Sequence, residues 1–407
     1  MAPPLPPGHF SAGHEMIPPA PLLPAPDMVD LQHSQALEQR IREEVDASGG
    51  SIDFMRFMEL ALYAPGLGYY SSCARKLGEG GDFVTAPEIG SLFARSLARQ
   101  CQQVFRQLGG GDILEVGAGS GALAADLLTT LAGAGHLPGR YLILELSAEL
   151  RFRQAEYLAA KIPHLARYVT WLDRLPDEGL RGVVLANEVL DAMPVQRFRS
   201  HPDGIRLLNV SWEPDGFVWH EVPAPTAFSN LLRTRLDPAV LPAGYTSEVN
   251  LQAEAWMRSI AGTLASGVIL IIDYGFPRDE YYHADRDTGT LMCHYRHRVH
   301  EDPLILVGLQ DITAHVDFTA IAEAGFAAGL SVLGYTSQAA FLLATGIADA
   351  MQDATATDPK AHLRNAQEIR KLTLPHEMGE LFKVMALGRG LAEPLSGFAL
   401  QDRRGHL

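Results

Sequence analysis

The sequence predicts an α/β protein built on a doubly wound sheet of seven strands. Three observations predict it. Asp112-Ile-Leu-Glu-Val116 reads as the end of a buried strand, glycines follow at 117, 119 and 121, and Ala122 to Leu128 open a helix. Further strand-length apolar runs recur downstream, separated by helix-length segments, as right-handed βαβ units require. An acid, Glu145, stands at the C-terminal end of the second run, at the edge where such a sheet opens its ligand crevice.

In chain order, residues 1–30 form a Pro-rich tail without Lys or Arg, expected to be disordered. Residues 31–107 form an N-terminal helical and lid region. Leu31, Ala36, Leu37, Ile41 and Val45 fall at near-helical spacing up to Gly49-Gly50, and a second helix runs from Ser51-Ile-Asp53 to Tyr63. The aromatic-polar stretch from Gly66 to Ile89 is placed to cover a ligand or simply to cap the sheet, and a helix over 88–107 leads into the first strand. Residues 108–194 make the first half of the core, with strands at 112–116, 140–146, 168–171 and 181–188.

Residues 195–265 interrupt the rhythm as an α+β insertion on the substrate side. Its start reads as an antiparallel meander with turns at His201-Pro-Asp-Gly204 and Pro214-Asp-Gly216, and 224–265 reads as mostly helical. Residues 266–390 form the second half of the core, with strands at 267–275, 331–335 and 379–388. Asp317 is the expected N-cap of a helix ending near Gly329. Residues 391–407 are left as a C-terminal tail.

Composition narrows the functions. With 33 Lys+Arg against 48 Asp+Glu, the net charge of −15 disfavours a nucleic-acid or anionic-membrane surface and suits a basic partner. The three cysteines, Cys73, Cys101 and Cys293, are far apart and fit a reducing compartment. No apolar run approaches the ~20 residues of a membrane helix. A cytoplasmic bacterial protein, not inserted in a membrane, is the expectation.

The candidate site lies at the strand ends. Gly117, Gly119 and Gly121 let a ligand approach the backbone beside a helix N-terminus, and Glu115 precedes them. Glu145 can accept both ribose hydroxyls of an adenosine. These residues fit S-adenosylmethionine, but Gly117, Gly119 and Ala122 also satisfy the dinucleotide pattern, so both cofactors stay open. Asn187-Glu188-Val-Leu-Asp191 follows the fourth strand, where two carboxylates and an amide can grip a guanidinium or cap a helix. Asp273 and Tyr274 end the fifth strand at the same edge. His315 alternates with Asp311, Thr313 and Asp317; if extended they share one face, and a His–Asp pair there can accept a proton. His294, His297, His300 and His315 lack a metal-binding spacing with a partner acid, so no metal is predicted.

Assembled in order, these motifs resemble the MidA-like family, known for mitochondrial protein arginine methyltransferases required to assemble respiratory complex I. The resemblance runs from about Ser51 to Arg389. It rests on Gly68-Tyr69-Tyr70, Gly81-Asp82-Phe83-x-Thr85-x-Pro87-Glu88, the Glu115 glycine turn, Asn187-Glu188-x-x-Asp191-Ala192-x-Pro194, Asp273-Tyr274-Gly275, Tyr295-Arg296-His297, Asp311-x-Thr313-Ala314-His315-Val316-Asp317-Phe318 and Leu381-Phe382-Lys383-Val384. The turn carries Ala118 and Ser120 where a Pro and an Arg are common, which spares the glycine geometry.

The resemblance implies a class I, Rossmann-like, S-adenosyl-L-methionine (SAM)-dependent methyltransferase sheet. It implies cofactor contacts at Gly117, Gly119, Gly121 and Glu145, with Glu115 and Asn187 beside them. It makes Glu188, Asp191 and Asp273 substrate-pocket candidates, joined by Tyr274 and His315 as catalytic candidates. The implied substrate is an arginine of a protein, such as a complex I subunit. A non-catalytic SAM-binding assembly factor and a nicotinamide oxidoreductase are the alternatives, and a homodimer is among the assemblies left open.

Overall fold

The computed structural model describes residues 23–71, 85–177, 179–236, 241–350 and 359–407. The first described element is helix α1 (Met28–Ala47), capped by the Asp27 carboxylate, which accepts the Val29 and Asp30 N–H groups at 2.9 Å. Its inward stripe is Leu37, Ile41 and Val45, as the spacing predicts, although the helix starts three residues earlier than expected because Asp27 supplies the cap. Helix α2 (Phe54–Tyr63) is capped by Asp53, which accepts the Arg56 N–H at 2.7 Å.

The single helix expected over 88–107 is two. A short turn spans Ala86–Ile89, and α3 runs Leu92–Leu108. Glu368 occupies the break. It accepts the Leu92 N–H at 2.6 Å, and a Cβ on Gly90 would lie 2.1 Å from its carboxylate.

The core elements follow as β1 (Asp112–Val116), α4 (Ala122–Gly133), β2 (Tyr141–Leu144), α5 (Ala148–Lys161), β3 (Val169–Leu172) and β4 (Leu180–Asn187). The last helix of the insertion, α6 (Leu251–Thr263), leads into β5 (Leu264–Phe276), followed by α7 (Phe318–Ala327), β6 (Ser331–Ser337) and β7 (Phe382–Arg389). The sheet order is β6-β7-β5-β4-β1-β2-β3, with the two-residue strand Val316–Asp317 pairing parallel to the end of β5. The pairs β5–β4, β4–β1, β1–β2 and β2–β3 are parallel, while β7 runs antiparallel to both β5 and β6. This is the seven-stranded doubly wound sheet that the strand spacing predicts.

Both faces of the sheet are covered, which explains its uninterrupted apolar strands. Val183 and Leu185 of β4 join Leu97, Cys101 and Leu127 on one face, while Val184 and Ala186 join Met257, Ile260 and Ile321 on the other. Asp317 caps α7 as expected, accepting the Ala320 N–H at 3.0 Å.

The insertion is a second sheet. The predicted meander forms as Gln196–His201, Gly204–Glu213 and Gly216–Pro223. The segment 224–265 is mostly helical among its described residues, with helices at Thr226–Arg235 and Leu251–Thr263, but it also holds a strand that the spacing does not predict. Thr246–Val249 is a buried strand antiparallel to Gln196–Arg199, and its Val249 packs with Phe198, Phe228 and Leu232. A further three-stranded sheet, in the order Arg298–His300, Met292–Tyr295, Asp311–Thr313, stands beside the crevice. The C-terminal segment is docked on β6: the Arg403 N–H donates to the Tyr335 carbonyl at 2.6 Å, and Phe398 packs edge-on against Phe341. The predicted disordered tail falls mostly on residues 1–22, outside the described ones. Among the described residues no helix is long and apolar enough to cross a membrane.

Candidate active site

The C-terminal ends of β1, β2, β4 and β5 open into one cleft of about 200 Å³. Its floor is the turn after β1. Gly117, Gly119 and Gly121 adopt φ of +65°, +53° and +83°, a region that side chains disfavour by about 1–2 kcal/mol. Gly121 is the N-cap of α4 and offers no capping side chain, so the first amides of that helix are left for a ligand. Gly117, Gly119, Ser120, Ala122 and Leu123 all line the cleft.

Two carboxyl groups frame this end. Glu115 is buried at the end of β1 and accepts the Tyr141 hydroxyl at 2.7 Å; burial raises its pKa to about 7, opposed by that hydrogen bond. Glu145 follows β2 and accepts the Ser147 N–H at 2.9 Å and the Gln154 side-chain amide at 3.2 Å. Gln154, which no motif in the sequence marks, is fully buried. Its amide also donates to the Gly119 carbonyl at 2.9 Å, and its oxygen accepts the Trp171 indole N–H at 2.9 Å. It ties the glycine turn to the acid that faces it. Positive φ at the three glycines of the turn, uncapped helix amides and a fixed carboxylate across the cleft fit an adenosine-bearing cofactor.

The other end is acidic. Glu188 has φ +53°, unusual for a side chain this large, and several contacts hold it there. Its N–H donates to the Ile272 carbonyl at 2.9 Å; its carboxylate accepts from the Asn187 amide at 3.0 Å, the Tyr274 hydroxyl at 3.4 Å and the Ala86 N–H. Burial, then the nearby Asp273, raise its pKa to about 8. Asp191 is likewise raised well above the usual carboxylate range, first by burial and then by Asp273, Asp311 and Glu188. Its Oδ1 and the Asn187 Oδ1 are buried with no hydrogen-bond partner among the described residues. Asp311, Tyr63, Tyr70 and His294 complete this end.

Two predicted catalytic residues do not reach the cleft. Asp273 is fully buried and takes the Val189, Leu190 and Asp191 N–H groups on Oδ2 at 3.2, 2.9 and 3.3 Å, and the Tyr274 N–H on Oδ1 at 2.9 Å. It braces the loop that carries Glu188 and Asp191. His315 packs its ring against Phe276 at 5.2 Å and Tyr274 at 6.2 Å, and its backbone N–H donates to the Thr290 hydroxyl at 3.1 Å. Burial, with the Arg286 and Lys383 charges, lowers its pKa to about 4. The expected shared face breaks because the strand ends at Thr313, and Asp317 is spent on capping α7.

Tyr70 and Asp311 belong to motifs quoted for the family resemblance, which could have flagged them; nothing in the sequence flags Gln154. Glu115, Gly117, Gly119, Glu145, Asn187, Glu188, Asp191 and Tyr274 line the cleft, and Gly121 stands directly behind it. Of the expected covering stretch, Tyr70, Thr85, Pro87 and Glu88 line the cleft, and residues 72–84 lie outside the described ones.

Residues 96–336 match a protein family described as "Putative S-adenosyl-L-methionine-dependent methyltransferase". Among curated proteins, the chain is 30% identical over 370 residues to protein arginine methyltransferase NDUFAF7 of Danio rerio, covering 83% of each. It is 29% identical to the Homo sapiens protein of that name, covering 84% of this chain and 80% of the relative. A crystal structure of a Burkholderia thailandensis protein bound to S-adenosyl-homocysteine superposes with a TM-score of 0.91 at 47% identity, covering 95% of this chain and all of that one.

Proposed function

The chain belongs to this family of S-adenosyl-L-methionine-dependent methyltransferases, which removes the nicotinamide alternative left open by the glycine pattern, and from that premise we propose that it N-methylates an arginine side chain of a protein. The observation that carries the acceptor is charge. At the end of the cleft away from the glycine turn, Glu188, Asp191 and Asp311 converge, and no Lys or Arg lines the cleft among the described residues. Buried carboxyl groups with raised pKa values are relieved by an incoming cation, and a guanidinium offers a planar fork to pair with them. The relatives named as protein arginine methyltransferases support the same acceptor.

The turn 117–121, the α4 N-terminus and Glu145 are the residues to hold SAM, which when bound supplies a methyl already activated on a sulfonium. Glu188 and Asp191 grip the guanidinium and turn one nitrogen toward that methyl. The nitrogen gains a carbon and must lose a proton, and the Glu188 carboxylate is positioned to take it. Catalysis by this chain is then chiefly orientation, which fits the number of contacts that fix Glu188.

An acceptor arginine on a respiratory complex I subunit, and a cytoplasmic setting, belong to the same proposal; they rest on the motif resemblance and on the sparse cysteines. The test incubates purified protein with tritiated SAM and extracted cell protein, then separates methylated amino acids after hydrolysis. Labelled methylarginine is expected. Glu188→Gln should lower turnover about 100-fold or more, as for a lost general base, with S-adenosyl-homocysteine affinity unchanged. Full turnover in that variant would remove Glu188 from the role.

A further inference from the structure

The acidic end of the cleft is built by two regions of the chain. Glu188 and Asp191 come from the loop after β4, within the sheet that serves the cofactor. Asp311 comes from the three-stranded sheet beside it, where it pairs across the strand with His294, another lining residue. Asp311 is 2% exposed. The Tyr70 hydroxyl donates to its Oδ1 at 2.9 Å, the Tyr70 ring stacks on Tyr63 at 5.6 Å, and the Tyr63 hydroxyl is anchored on the Ala192 carbonyl at 2.9 Å. This chain of contacts runs from the accessory sheet across two aromatic rings to the residue after Asp191. It fixes one carboxylate relative to the other.

The geometry points to Asp311 as a specificity-determining residue, which with Asp191 selects a planar guanidinium over a compact ammonium as methyl acceptor. The inference rests on the arginine reading above and adds the residue that discriminates. An ammonium is a point charge with three donors and can neutralise one carboxylate well. A guanidinium has five N–H groups on a flat frame and can bridge two carboxylates from different walls while its face lies along tyrosine rings. The Asp311 charge disfavours ionisation of Asp191, so a cation that bridges the two carboxyl groups relieves that repulsion.

The experiment uses the same extract assay with the full chain. Extracted protein serves as pooled acceptor, and the concentration giving half-maximal incorporation is measured for wild type, Asp311→Asn and Tyr70→Phe. Asp311→Asn should raise that concentration roughly 10- to 100-fold, the loss expected for one charge-assisted hydrogen bond. The saturating rate should stay within a few-fold, and S-adenosyl-homocysteine affinity should be unchanged. The fraction of label on lysine should rise relative to arginine. Tyr70→Phe should shift half-saturation in the same direction by less, and it carries the test if Asp311→Asn fails to fold. Methylarginine from wild type with unchanged half-saturation and an unchanged lysine share in both variants overturns the role of Asp311 alone. No methylarginine from wild type overturns the arginine reading and this inference with it.

Discussion

Replacing Asp273 by Asn separates a bracing role from a catalytic one. The carboxylate takes four backbone N–H groups, three on Oδ2 and one on Oδ1. Asparagine keeps one acceptor oxygen. Its better orientation places that oxygen under Val189, Leu190 and Asp191 and turns the NH2 toward the Tyr274 N–H, so two donors face each other. The lost charge-assisted hydrogen bond costs about 1.5–3 kcal/mol, and the orphaned buried N–H about 1–3 kcal/mol more. Removing a fully buried carboxylate offsets part of this, since burial already pushes the Asp273 pKa upward. A net loss of about 2–4 kcal/mol is expected, or roughly 4–8 °C in Tm at about 2 °C per kcal/mol for a chain of this size.

A second effect has the opposite sign. After burial, Asp273 is the next cause raising both Glu188 and Asp191, so the neutral Asn should move their ionisation to lower pH. Thermal denaturation and a pH–rate profile read the two effects together. Lower Tm with an activity profile displaced toward acid supports bracing. Wild-type stability with an undisplaced profile would refute it, and wild-type stability with activity abolished at every pH would restore Asp273 to the chemistry.

The remaining predictions concern the base and the cofactor end. Glu188 must be ionised to accept a proton, so kcat/KM should rise with pH through an inflection near 8 in the free protein. The bound guanidinium favours the carboxylate, so the inflection in kcat should lie lower; a profile flat from pH 6 to 9 would count against Glu188 as the base. Gln154→Leu removes the links to Gly119, Glu145 and Trp171. It should weaken S-adenosyl-homocysteine binding roughly 10-fold by calorimetry, about the worth of one or two neutral hydrogen bonds, and unchanged affinity would mean the turn holds its shape without that side chain.

The sequence exposed the two ends of the cleft unequally, for a physical reason. The cofactor end is local: strand, glycine turn, helix and the next strand's acid lie between Asp112 and Glu145, and the positive φ values confirm what three spaced glycines imply. The sheet was legible for the same cause, since seven apolar runs need only their own spacing to be seen. The acidic end joins residues 63–70, 187–191, 274 and 294–313. Tyr70 meets Asp311 across 241 residues, and no pattern of adjacent positions encodes such a contact. Where local reasoning was pushed across that gap it failed. Alternation from Asp311 to Asp317 assumed one straight strand, but the Ala314 N–H turns to the Asp191 carbonyl at 2.9 Å and carries His315 away from the cleft. Its place at a strand end makes Asp273 look like a site residue, although its four amide partners lie in the loop after β4 and at its own neighbour. Cofactor chemistry is thus written in one contiguous unit. On the proposed reading, acceptor choice depends on how separate regions dock on it, so substitutions at the accessory sheet should change what is methylated without disturbing what supplies the methyl.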